Sequence, residues 1–187
     1  MANRKEIIQI VGIMSLAYSN YKPMLDGELT TVDLLEDLLG DLPVDELKLA
    51  LKACILEPGR AFAPAPGEIR GKVAQMRLAA NNTPTAGEAW AEVMDHIKYK
   101  GCQAKPEWSH PIIGKAVDAI GLVNIGMAED NGMVARAHFM KLFPVYLERE
   151  TGEIAQHPQI AAYINEQWQL NGATSIKQLA DKMGVKE

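Results

Sequence analysis

Apolar residues recur along this chain at steps of three and four, from one end to the other. Ile7, Ile8, Val11, Met14 and Tyr18 form one such series, and Leu47, Ala50, Leu51, Cys54 and Ile55 form another. That spacing places the side chains on one face of a helix, whereas a half-buried strand needs strict alternation. No convincing alternating segment and no repeat of fixed period interrupts the pattern. The periodicity therefore predicts an all-α fold of eight or nine helices.

Punctuation residues divide the series. The spacing predicts a first helix over about Arg4–Ser19, closed by Tyr21-Lys22-Pro23, because proline cannot continue a helix and restricts the residue before it. Thr30 or Thr31 can cap a second, with Val32, Leu35, Leu38 and Leu39 on its apolar face and Gly40 as its stop. A third starts after Asp41-Leu42-Pro43 and ends at Glu57-Pro58-Gly59. A proline-rich loop over 61–67 leads into a fourth, from Pro66 to about Ala80, where Pro suits the first turn and Glu68 the positive end of the dipole. Thr85-Ala86-Gly87-Glu88 fits a capping box for a fifth, which stops at Gly101. Ser109-His110-Pro111 opens a sixth, closed by Gly121. A long pattern from Met133 follows, in which Pro144 predicts a kink or break and Thr151-Gly152 an end. Two short helices, His157–Leu170 and Thr174–Met183, complete the series. Ala79-Ala80-Asn81-Asn82-Thr83-Pro84 is the best linker. It divides the chain into two small helical domains, 1–80 and 84–187, each burying only a modest core, so that the two are free to pack together.

The 187 residues are 48% hydrophobic and 23% charged, a composition of folded rather than disordered chains. A net charge of -5 argues against a whole surface built to grip nucleic acid, which rests on Lys and Arg neutralising phosphates. Cys54 and Cys102 are too few for a disulfide framework and read as reduced thiols of a cytosolic protein. The N-terminus does not read as a signal peptide, and no apolar run approaches the ~18 residues of a membrane span.

The chain carries no recognisable catalytic motif. A phosphate-binding loop needs backbone amides that wrap the phosphates and a hydroxyl after Gly-Lys that reaches the metal ion. Gly71-Lys72 is followed by Val73, with Pro at position 66; Gly114-Lys115 is followed by Ala116, with Ser at position 109. No two of His96, His110, His138 and His157 stand three or four apart, so no metal site is expected. The acids Asp33, Glu36, Asp37, Asp45 and Glu46 lie opposite apolar stripes, as a solvated face does. Ser15 and Ser19 lack a nucleophile elbow. No cofactor is implied, and the chain reads as a binding protein rather than an enzyme. Two sets of cations, Arg70, Lys72 and Arg77, then Arg136, Lys141 and Arg149, could form contact patches. The stretch Thr174–Val185 is similar to the first half of a helix-turn-helix, without a recognition helix after it.

The order of these elements resembles the bacteriophage replicative helicase loader/inhibitor family. The residues that carry the resemblance are Ala17-Tyr18-Ser19-Asn20-Tyr21 at the end of the first helix, the acidic run Val32–Leu39, Leu47–Leu51, and the proline-rich loop into Gly67-Glu68-Ile69-Arg70. The second half is similar to phage replication proteins with that N-terminal domain, at Ala89–Val93, Trp108–Ile113, Lys115–Gly121 and Arg136–Met140. The resemblance implies a non-enzymatic adaptor in the host cytoplasm. Such a protein binds a DnaB-type replicative helicase, holds it inactive, and delivers it to an origin-bound phage protein without an ATPase of its own; DNA contact is secondary. Founding members carry a helicase-binding tail, whereas 84–187 reads as folded. The contact residues singled out are Tyr21, Phe62, Arg70 and Arg77 in the first unit, and Trp108, Arg136 and Phe139 in the second. The rival readings are a nucleic-acid-binding replication or regulatory protein, a phage structural or assembly protein, and a hydrolase with scattered acids.

Overall fold

The computed structural model describes residues 1–128 and 132–169. It is helical throughout, with α1 (Arg4–Ala17), α2 (Thr31–Leu39), α3 (Val44–Ile55), α4 (Pro66–Ala80), α5 (Ala86–Lys100), α6 (Pro111–Ile120), α7 (Leu122–Gly126) and α8 (Met133–Ala155). A ninth helix, α9, covers residues 158–169. No strand occurs among the described residues.

Local chemistry starts most of these helices. Each helix leaves its first N–H groups without partners, and a side-chain oxygen before the first turn supplies one. Asn3 with Glu6, Thr30 with Asp33, and Thr85 with Glu88 all form reciprocal capping boxes. Thr30, not Thr31, is thus the cap of α2. His110 caps α6 through Nδ1, which accepts from the Ile112 amide at 3.3 Å, and Pro111 occupies the first turn.

Contacts divide the chain into two compact units. One is Met1–Val73 with the segment from Ala155 onward, and the other is Ala74–Ile154. The borders fall inside α4 and α8 rather than in the Asn81–Pro84 turn. In the first unit α1 packs on α2 and α3. Ile7, Ile10, Met14, Leu39, Leu47 and Leu51 are all fully buried, each contributing roughly 1.5–3 kcal/mol. The Ala2 amide donates to the Gly40 and Leu42 carbonyls at 3.1 and 2.9 Å, which anchors the N-terminus at the end of α2. Arg4 bridges Asp33 and Glu36 at 2.6 and 2.9 Å.

The second unit has its own core, built from Val93, Ile112, Ile113, Ala116, Phe139 and Phe143 among others. Trp90, Phe139 and Phe143 pack in series: Trp90 is tilted at 55° to Phe139 with ring centroids 5.4 Å apart, and Phe139 stacks on Phe143 at 5.6 Å. Gly126 is where α7 closes on the loop after α5. A Cβ there would stand 2.6 Å from Cys102 Cβ.

The break allowed for at Pro144 and the end expected at Thr151-Gly152 are corrected. Pro144 neither breaks nor ends α8, which is continuous through it. Phe139 and Phe143, buried on the same helix, hold the chain in register up to the proline, so the lost N–H does not end it. Thr151-Gly152 does not end α8 either; the Thr151 hydroxyl donates back to the Leu147 carbonyl and the helix runs to Ala155. Gly121 closes α6, as its position predicts, and also opens α7, its φ of +93° turning the chain between the two. The helix expected over Thr174–Met183 and the helix-turn-helix likeness lie outside the described residues.

Candidate functional site

In the first unit, the segment after α1 meets the loop after α3. Asn20 Nδ2 donates to the Ala61 carbonyl at 3.1 Å, which brings the neighbours Tyr21 and Phe62 to one region of the surface. Tyr21 is half-buried, and burial pushes its hydroxyl up from the ordinary value. Phe62 is 71% exposed, while Phe139 and Phe143 are at most 1% exposed.

The loop that displays Phe62 is braced by charge. Arg60 donates through Nε and Nη2 to Glu57 at 2.9 and 2.7 Å, and through Nη2 to Glu68 at 3.1 Å. Lys72 pairs with Glu57 at 2.7 Å, and the Ala65 amide donates to Glu68 at 2.7 Å. Lys72 and then Arg60 hold the Glu57 carboxyl below the usual range; Arg60 and the Ala65 amide do the same for Glu68. Gly59, at φ +79°, makes the turn between them. Behind the loop, Tyr18 is 6% exposed and its hydroxyl has no hydrogen-bond partner; burial pushes that hydroxyl up.

Arg70 is buried rather than displayed. Nη1 and Nη2 grip Asp41 at 2.6 and 2.9 Å, and Nη1 also donates to the Leu38 carbonyl at 2.9 Å. Nε donates to the Ala155 carbonyl at 2.7 Å, and Nη2 to the Gln156 carbonyl at 3.0 Å. All five donors of the guanidinium are thereby used. Burial raises the Asp41 carboxyl, and the hydrogen bonds and charge of Arg70 outweigh it, so the net shift is downward. As a surface contact residue Arg70 is therefore corrected, and Lys72 is ion-paired. Arg77 is half-exposed farther along α4.

In the second unit Phe139 is fully buried in the core and presents nothing to a partner, which corrects that expectation too. Trp108 is half-buried. Its ring lies 5.3 Å from that of His96, and a Cβ on Gly114 would come within 3.1 Å of it. Arg136 and Lys141 are exposed on α8, and Arg149 lies 5.9 Å from the Tyr146 ring.

Sequence reasoning passed over one surface. On α9, Ile160, Tyr163 and Trp168 are 54%, 63% and 76% exposed, and Tyr163, Ile164, Gln167 and Trp168 line a concavity of about 410 Å³. Their three- and four-residue spacing is legible in the chain, but spacing alone does not tell a core face from a displayed one. Contiguous exposed apolar surface of this kind marks binding faces.

Among the described residues, no three His, Cys, Asp or Glu side chains converge to hold a metal ion. No described helix is long and apolar enough to cross a membrane. No curated protein and no solved structure matches the chain. A family model does match: that of the N-terminal domain of the phage helicase loader/inhibitor protein, over residues 2–70. The match takes in α1, α2, α3, the braced Phe62 loop and the first turn of α4. Over residues 2–70 the chain is therefore similar to the N-terminal domain of the phage helicase loader/inhibitor family.

Proposed function

We propose that this chain is an adaptor of phage DNA replication, acting in the host cytoplasm. It binds a DnaB-type replicative helicase and loads it or holds it inactive, without chemistry of its own. The observation that carries this reading is the family match over residues 2–70.

The geometry supports it in two ways. Phe62 stands on a loop fixed by ion pairs, so a partner that buries it would lose little freedom in ordering the loop. Aromatic side chains held in this way are the usual anchors of protein interfaces. The two Gly-Lys pairs, moreover, sit within helices. Lys72 on α4 pairs with Glu57, and Lys115 on α6 pairs with Glu150 at 2.6 Å. Both pair with carboxylates. Tyr21, Phe62 and the α9 face are the contacts we assign first, with Trp108, Arg77 and Arg136 next. An origin-bound phage protein is the further partner, and DNA contact is secondary: Arg70 and Lys72 are engaged with carboxylates, while Arg136 and Lys141 on α8 are exposed.

The test mixes the full chain with the cognate DnaB-type helicase and follows complex formation by size-exclusion chromatography, with helicase ATPase as a second readout. Co-elution with altered ATPase is expected, and Phe62→Ala is expected to weaken the complex about tenfold or more, the loss typical of an interface anchor. The absence of any complex would sink the adaptor reading.

A further inference from the structure

The chain leaves the first unit inside α4 and re-enters it at Ala155, at the end of α8. What holds the returning segment is polar and concentrated. Arg70, one turn before the exit, donates to the carbonyls of Ala155 and Gln156 at 2.7 and 3.0 Å. His157 places Nε2 3.1 Å from the Asp37 carbonyl, and its Nδ1 accepts from the Gln159 amide at 3.3 Å. A carbonyl can only accept, so Nε2 carries the proton and Nδ1 is left to cap α9. Pro158 follows His157 as Pro111 follows the cap His110. Among the described residues beyond this point, 158–169, none is buried.

We propose that Arg70 and His157 form a latch that fastens residues 155–157 to the C-terminal end of α2, and that opening it releases α9 from the unit while α1, α2 and α3 stay folded. Two features set this apart from general stabilisation. The helices α1–α3 bury their own apolar residues, with Ile7, Ile10, Met14, Leu39 and Leu47 at no more than 1% exposure. The segment from Ala155 has no comparable set among the described residues. Its tie to α2 is made by two side chains, one of which also holds the Leu38 carbonyl and Asp41. A lysine at position 70 has three rotatable donors where the guanidinium has five in a fixed fork, so it cannot hold Asp41, Leu38, Ala155 and Gln156 at once. Short helices freed from their docking are marginal in water, so release would read as loss of helix over the described residues 158–169. The latch thus governs how the exposed Ile160–Trp168 face is presented, whatever partner that face takes.

Hydrogen exchange followed by mass spectrometry on the full chain tests this. In Arg70→Lys, amides of residues 161–169 are expected to exchange at least tenfold faster, with those of α1 and α3 unchanged. His157→Ala leaves the Arg70–Asp41 pair intact and is expected to speed the same amides several-fold. This second variant decides the matter if Arg70→Lys unfolds the whole unit. Unchanged exchange at 161–169 in both variants, or an equal rise across α1, α3 and 161–169 in His157→Ala, would overturn the latch.

Discussion

Asp33 carries three jobs on one carboxylate. It closes the capping box of α2, accepts from the Thr30 hydroxyl at 2.6 Å, and takes one arm of the Arg4 bridge. The Thr30 hydroxyl and amide, then Arg4, lower its carboxyl from the ordinary 3.8 to about 2. A carboxyl depressed by folding stabilises the folded chain fully above its unfolded value and loses that contribution as pH falls through its folded value. The contribution of Asp33 is therefore whole at pH 5 and disappears between about pH 4 and pH 2. Asp33→Asn removes the charge without removing the acceptor oxygen. Melting temperatures of the two proteins are expected to differ at pH 5 and to converge by about pH 2; a gap that stays constant over that interval would show that the carboxylate contributes nothing through its charge. Residue chemistry of this local kind was legible in the sequence. The Thr85–Glu88 box lies three residues wide, and both partners can be read side by side. Arg70 was not legible, because its partners stand 29, 32, 85 and 86 residues away. A cation on a short helix looks the same in sequence whether it meets solvent or a buried carboxylate.

At the scale of elements, the periodic stripes located nearly every helix, and the errors share a cause. Breaker residues report a local cost, and packing decides whether that cost ends the helix. Pro144 lacks the N–H that would reach the Met140 carbonyl, yet α8 continues because Phe139, Phe143 and the half-buried Leu147 bury their faces around it. The five-residue α7 went unseen because it is too short to show a period, and Gly121 read only as a stop. Pro144 is exposed, so removing it should touch no core contact. Pro144→Ala is expected to restore the missing hydrogen bond and to stabilise the second unit by about 1–3 kcal/mol. Denaturant unfolding checks it. A loss of stability would instead mean that the second-unit core is shaped around a bend that the proline imposes.

For the whole molecule, the boundary between units was the feature least visible in the chain. The Asn- and Pro-containing stretch at 81–84 has the composition of a linker, but its backbone is tied back: Thr83 Oγ1 donates to the Leu78 carbonyl at 2.8 Å and lies 3.4 Å from His110 Nε2. It is a turn inside one unit. Composition reports where the backbone bends, and contacts report which residues share a core. The two coincide only where a bend is also bare of long-range partners. The contact division makes a stronger demand on residues 74–154, which leave and rejoin the first unit through helices. If their core is self-sufficient, that stretch expressed alone should fold. About eighty residues is near the lower range at which one core supports a domain, and this one has Trp90, Phe139 and Phe143 packed ring against ring within it. The isolated 74–154 polypeptide is expected to melt cooperatively and to show a near-ultraviolet signal from Trp90 and Trp108, both packed against this core. A polypeptide with helix but no such signal and no cooperative transition would show instead that the core depends on residues outside 74–154, and that the chain folds as a single unit despite its contact pattern.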